Sequence, residues 1–165
     1  MVATQIAVRD VKLFLKWIVG GGFVLVTVLQ FTGPARSNPP VRPGHDLLSS
    51  NAPPAPITAL LKKACYDCHS YETRWPWYSY IAPLSWPLVG HVNDARATLN
   101  FSDWPHENPE RARKKWRRAA EAIDAGEMPL RQYLWLHREA RLDPGQRQQL
   151  ARWAEEEAKR LASSP

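Results

Sequence analysis

A single apolar run, "LFLKWIVGGGFVLVTVLQF" at residues 13–31, constrains the architecture of this chain more than any other stretch. Only Lys16 and Gln30 interrupt it. Its length is close to the ~20 residues a helix needs to cross a bilayer. Arg9, Lys12 and Lys16 lie before the run or at its start, and Lys16 can snorkel to the headgroups. Basic residues on that side hold the N-terminus in the cytoplasm, so the chain beyond about residue 33 is exported. A cleaved secretory signal opens with the same pattern. "FTGPARS" sets Pro34 and Arg36 where a small-x-small cleavage site would lie. The expectation is therefore an uncleaved single-pass anchor over residues 13–32. Residues 1–12 would be cytoplasmic, the anchor would sit in the inner membrane, and the rest would lie in the periplasm.

After the anchor, "TGPARSNPPVRPGHDLLSSNAPPAP" is dense in Pro, Ser, Asn and Gly. Residues 33–56 read as an extended linker or arm with little core of its own, and His45 within it as a mobile surface residue. Residues 57–161 carry no period-2 pattern, and their apolar positions recur at helical spacing. "PITALLKKACYDCHSYE" starts a helix at Pro56 and places Ile57, Leu60, Leu61, Ala64 and Cys68 on one face. "PLVGHVNDARATLNF" does the same with Leu88, Val92, Ala95 and Leu99. A third helix opens on Asn108 as N-cap with Pro109 in its first turn, and Gly126 closes it. "LRQYLWLH" reads as a short helix. The last begins at Asp143 and Pro144 with Gln146 in the capping-box position, and its inner face is Leu150, Trp153, Ala154 and Leu161. The result is a small all-α domain in a size range where a lone core is marginal, so a large apolar cofactor would help fill it.

The two cysteines, Cys65 and Cys68, are too few for a disulfide scaffold, and His69 follows them directly. A disulfide between positions three apart closes too small a loop to stabilise much. A thioredoxin-like pair needs a βαβ setting that this sequence lacks. Structural zinc needs four ligands, and His91, His106 and His137 complete the half-site only at irregular spacings. The remaining reading is C-x-x-C-H, the attachment signature of c-type haem. One helical turn brings both thiols to the side of the two vinyl groups, and His69 projects to the iron as proximal ligand. The distal ligand is expected at Met128, in "AGEMPLRQY", where Gly126 and Pro129 bracket it in a loop after a helix. His91 and His137 are its competitors, while His106 beside Pro105 looks like a loop residue.

"CYDCHSYETRWPWYSYIAPLSWPLVGHVNDARATLNFSDW", followed by "GEMPLRQYLWLHREARL", resembles the bacterial haem-binding domain family of monohaem cytochrome c-like proteins. The resemblance spans roughly residues 40 to 160, as a motif of this specificity can. It implies a cytochrome c-like fold, one covalent haem c on Cys65 and Cys68, ligation by His69, and Met128 of "EMP" as distal ligand.

The aromatics of "YETRWPWYSYIAPLSW", namely Trp75, Trp77, Tyr78, Tyr80 and Trp86, read chiefly as ordinary core packing. The haem propionates need donors, since buried carboxylates are costly to desolvate. Arg74, Trp75 and Tyr78 are the candidates. The whole chain carries 22 Lys and Arg against 16 Asp and Glu, a formal charge of +6. That excess is too modest to suggest nucleic acid. "RARKKWRR" at 111–118 reads as a solvated helix face, with docking to an acidic redox partner or an anionic membrane as the sharper alternative. The function expected is outer-sphere electron transfer to unidentified redox proteins, without catalytic acid or base, hence no enzyme. The alternative is a haem peroxidase-like enzyme or a gas or redox sensor with a displaceable sixth ligand.

Overall fold

The structure, a computed structural model, describes residues 2–105 and 108–163; the expectation for His106 lies outside them. The helices are α1 (Val2–Gln30), α2 (Leu47–Asn51), α3 (Ala55–Ala64), α4 (Tyr66–His69), α5 (Ser85–Thr98), α6 (Pro109–Asp124), α7 (Tyr133–Leu136) and α8 (Pro144–Ala162). Short 3-10 turns cover Trp77–Tyr80 and Arg138–Ala140. No strand occurs among the described residues, as the absence of period-2 patterning required. The chain divides into two compact units, one of residues 1–36 with 76–90, the other of residues 37–75 with 91–165.

The first unit is built on α1. Its segment Val11–Gln30 has a mean hydropathy of 1.8 and none of it is buried, which is long and apolar enough to cross a membrane. The loop 76–84 and the start of α5 are tied to the end of α1 by side chains. The Gln30 carboxamide accepts from the Ala82 N–H at 3.1 Å and donates to its carbonyl at 3.3 Å. Arg36 donates to the Ser79 carbonyl at 3.0 Å and lies over the Tyr80 ring at 4.2 Å. The expectation of core packing is corrected here: Trp77, Tyr80 and Trp86 are exposed. Pro76, Pro83 and Pro87 keep the segment from forming one continuous amphipathic helix, so these side chains share no buried stripe.

The second unit has a single core where α6 and α8 pack along each other. Ala112, Trp116, Ala120 and Ile123 of α6 face Leu150, Trp153, Ala154 and Ala158 of α8. Both helices start as their sequences dictate. Asn108 accepts from the Arg111 N–H at 2.9 Å, and Asp143 and Gln146 form the reciprocal capping box. Gly126, at φ +71°, closes α6 in the left-handed region that glycine enters freely. Leu161 is partly buried against the core, completing the face expected for α8.

Two expectations need correction. Residues 37–56 are not an extended arm. Leu47 is fully buried in the core, and its N–H donates to the Phe101 carbonyl at 2.7 Å. Asp46 caps α2 by accepting from the N–H groups of Leu48 and Ser49. His45, expected to be mobile on the surface, is half-buried, and its carbonyl accepts from the Trp104 N–H at 2.8 Å. One capped Leu-Leu pair supplies the apolar anchor that a Pro-rich composition hides. The second correction concerns the helix expected from Pro56 through the cysteines. It starts at Ala55 and breaks at Cys65, whose φ of −125° and ψ of −35° lie off the helical values. A new turn, α4, then carries Cys68 and His69.

Candidate functional site

The break at Cys65 shapes the motif. The Cys65 carbonyl accepts from the N–H groups of both Cys68 and His69, at 3.1 and 2.9 Å. This tight turn presents Cys65, Cys68 and His69 to one cavity of about 650 Å³ in the second unit. The volume falls within the usual range for ligand pockets, ~300–1,000 Å³. The cavity walls are mostly apolar: Leu61 and Ala64 from α3, Leu99 and Phe101 from the loop after α5, Trp116 and Ile123 from α6. Met128, Pro129 and Leu130 also line it, so the two halves of the expected clamp meet at one space.

His69 is held from two directions. Its Nδ1 lies 2.9 Å from the Leu99 carbonyl and 3.2 Å from that of Ala95. Both carbonyls are acceptors only, so Nδ1 carries the proton and Nε2 keeps a free lone pair. The His69 carbonyl in turn accepts from the Phe101 N–H at 2.7 Å. Burial pushes the imidazole pKa below its ordinary value, with the two carbonyl contacts opposing, which favours the neutral ring. A neutral imidazole with a fixed Nδ1–H is the form that metal-ligating histidines take.

The cysteine thiols are unlike those of a redox pair. They form no disulfide. Burial pushes Cys65 up to about 12 and Cys68 up to about 11, whereas reactive C-x-x-C thiols are lowered. Nor do the described residues contain three clustered His, Cys, Asp or Glu side chains able to hold a metal ion alone.

Met128 is fixed through its backbone. Its N–H and that of Glu127 share the Ala122 carbonyl, at 3.2 and 3.0 Å, and Arg147 donates to its carbonyl at 3.3 Å and to that of Ile123 at 3.0 Å. A Cβ on Gly126 would come within 3.3 Å of that guanidinium, so glycine there serves both the turn and the clamp. A further tie joins the two halves. Asp67, inside the C-x-x-C loop, accepts from the Tyr133 hydroxyl at 2.9 Å, and Tyr133 lines the cavity just after Met128.

The expected propionate donors are placed differently. Arg74 is exposed and directs its guanidinium to Asp67 at 3.1–3.2 Å rather than to the cavity. Trp75 is half-buried with its indole N–H unpartnered, and it is not part of the cavity wall. Tyr78 belongs to the first unit, where its ring packs edge-on against Trp77. The cations that do line the cavity are Arg111, Lys114, Lys115 and Arg118, one flank of α6. Their spacing of three, four and seven residues was visible in "RARKKWRR" as a stripe rather than an undivided basic run. Lys115 also donates to the Thr98 carbonyl, and Lys114 pairs with Glu110 at 3.3 Å. Arg111 and Lys115 border a second, polar cavity of about 580 Å³ with Arg42, His45 and Arg96, so this flank is the polar edge of an apolar site. Of the competing ligands, His91 lies on the wall of the apolar cavity, while His137 stacks on Tyr133 and contacts Glu139 through Nδ1 at 2.9 Å.

A family model described as haem-binding domain matches residues 24–156 of the chain. No curated protein and no solved structure matches it.

Proposed function

From a chain that belongs to the haem-binding domain family, we propose a membrane-anchored monohaem cytochrome c that carries electrons on the periplasmic side of the inner membrane. The observation that carries this reading is His69, with Nδ1 occupied by the Leu99 and Ala95 carbonyls and the ring on the wall of a cavity shared with Cys65, Cys68 and Met128. The residues present fit the group. Cys65 and Cys68 would hold the group through thioethers, His69 and Met128 would supply ligands to its iron, and the apolar walls would enclose its ring. Arg111, Lys114, Lys115 and Arg118 supply the charge that two propionates need, a better set than Arg74, Trp75 and Tyr78.

Haem bound here would supply a one-electron iron couple whose potential a His/Met pair raises. Every other contribution comes from the chain. Leu61, Leu99, Phe101 and Trp116 exclude water. The Leu99 carbonyl orients His69 and raises its basicity as a ligand. Arg147 and the Ala122 carbonyl hold the Met128 backbone in place. The reading is electron transfer, a step that asks no general acid or base of this set. The same basic flank suits an acidic redox partner. A second reading, an enzyme or sensor with an exchangeable sixth ligand, is favoured by His91 on the cavity wall.

Pyridine haemochrome spectroscopy on the full chain, co-produced with the c-type maturation machinery, tests the assignment. The expected result is haem that resists acid–acetone extraction and has the band position of two thioethers. Cys65→Ser or Cys68→Ser should shift that band to the single-thioether position. A wild-type chain purified without haem would rule out the cytochrome.

A further inference from the structure

The first unit leaves a cluster of large apolar side chains uncovered. Phe31 is 87% exposed, Trp77 73%, Tyr80 57%, Leu84 54%, Ile81 41% and Trp86 38%. They sit on two short stretches, the residue after α1 and the segment from Trp77 to the first turn of α5, that belong to one unit. An exposed patch of this kind marks an interaction surface.

What covers it follows from where the loop is tied. The Gln30 carboxamide, on the last residue of the apolar span, holds both the N–H and the carbonyl of Ala82. Two residues further on, the Thr32 carbonyl accepts from the Trp86 indole N–H at 3.3 Å. Arg36 grips the Ser79 carbonyl and covers one face of Tyr80. The loop is thereby fixed at the end of the span, where a bilayer passes from hydrocarbon to headgroups. Trp and Tyr concentrate at that depth because an apolar ring with one polar atom suits it. The exposed set is of that kind: two Trp and one Tyr, flanked by Ile81 and Leu84.

We propose that residues 77–86 form an interfacial foot that seats in the headgroup layer beside α1, giving the protein a second membrane contact. The foot rests on the reading of α1 as a membrane span. It shares the membrane with that span but is fixed to it by the Gln30, Thr32 and Arg36 contacts rather than by chain continuity.

The test uses the full haem-loaded chain in vesicles of phosphatidylethanolamine and phosphatidylglycerol that contain a phospholipid with a photoreactive group near its glycerol end. Peptide mapping after illumination should find lipid adducts both within 77–86 and within α1. Adducts in α1 alone overturn the foot and leave the anchor standing. Adducts in neither overturn both. Trp77→Gln with Leu84→Gln, both exposed and therefore compatible with folding, should lower adduct yield in the loop severalfold, with α1 adducts and the haem spectrum unchanged. An unchanged loop yield contradicts the proposal. So does a photoreactive side chain at position 77 that, in intact cells, joins to another protein instead of to lipid.

Discussion

Two groups of tryptophans in this chain have opposite fates. Trp104, Trp116 and Trp153 are buried, with ring centroids 4.5 Å apart for the first pair and 4.7 Å for the second. Trp77 and Trp86 are exposed. Composition does not separate them, but periodicity does for the two buried tryptophans that sit in helices. Trp116 and Trp153 each sit within a helical stripe of Ala, Leu and Ile that faces another stripe. Trp77 and Trp86 lie among prolines at spacings no helix can gather onto one side. The difference also divides the labour: from the buried group Trp116 forms part of the wall of the apolar cavity, and the exposed group lies in the unit built on the apolar span. A helical stripe thus marks Trp116 and Trp153 as core, while Trp104 is buried from the loop between α5 and α6, where no period announces it.

The largest effect should come from the buried group. Trp116→Ala should destabilise the folded domain by about 3–5 kcal/mol, read as a fall in thermal midpoint, and should alter the haem spectrum because Trp116 also lines the cavity. A smaller change is expected at the arm, which belongs to the buried side despite its composition. Removing the α2 cap with Asp46→Ala should cost about 1 kcal/mol in denaturant titrations. Burial raises the Asp46 pKa, but hydrogen bonds from the Ser49 side chain and the N–H groups of Ser49 and Leu48 outweigh it and hold it below 3.8. Its folded pKa is therefore the depressed one. The stabilisation is fully present above pH 3.8 and is lost as pH falls through the folded value. Asp46→Asn, which caps without ionising, should remove that acid dependence, as stability curves at several pH values would show. The smallest effect belongs to the exposed group. Trp77→Ala should alter stability by no more than about 0.5 kcal/mol. A large loss there would mean that Trp77 is packed like Trp116 and would dissolve the contrast.

Much of the second unit was legible because local chemistry agreed with the final packing. Asn108 and Pro109 start α6, Gly126 ends it, and Asp143 with Gln146 starts α8, each through bonds within a few residues. That Cys65, Cys68, His69 and Met128 line one cavity was anticipated from other signals, the C-x-x-C-H spacing for the first three and a single loop methionine for the last. The ties that complete the site were not. The contact of Tyr133 with Asp67, the Arg147 clamp on Met128 and the Leu99 carbonyl under His69 join residues that are distant in sequence and follow no period. Leu47 was hidden because one buried leucine within a Pro-rich stretch leaves no pattern. The basic stripe of α6 was visible, yet its role appeared only once the cavity was seen to lie along it.

The central claim is that Cys65, Cys68, His69 and Met128 form one haem clamp, and the absorption and magnetic circular dichroism spectra of haem-loaded Met128→Ala test it most directly. Low-spin, six-coordinate iron in the wild type and loss of that state in the variant are the predicted result, with the covalent haem content unchanged. A variant spectrum identical to the wild type would contradict the clamp and assign the sixth position to another residue, His91 first among them.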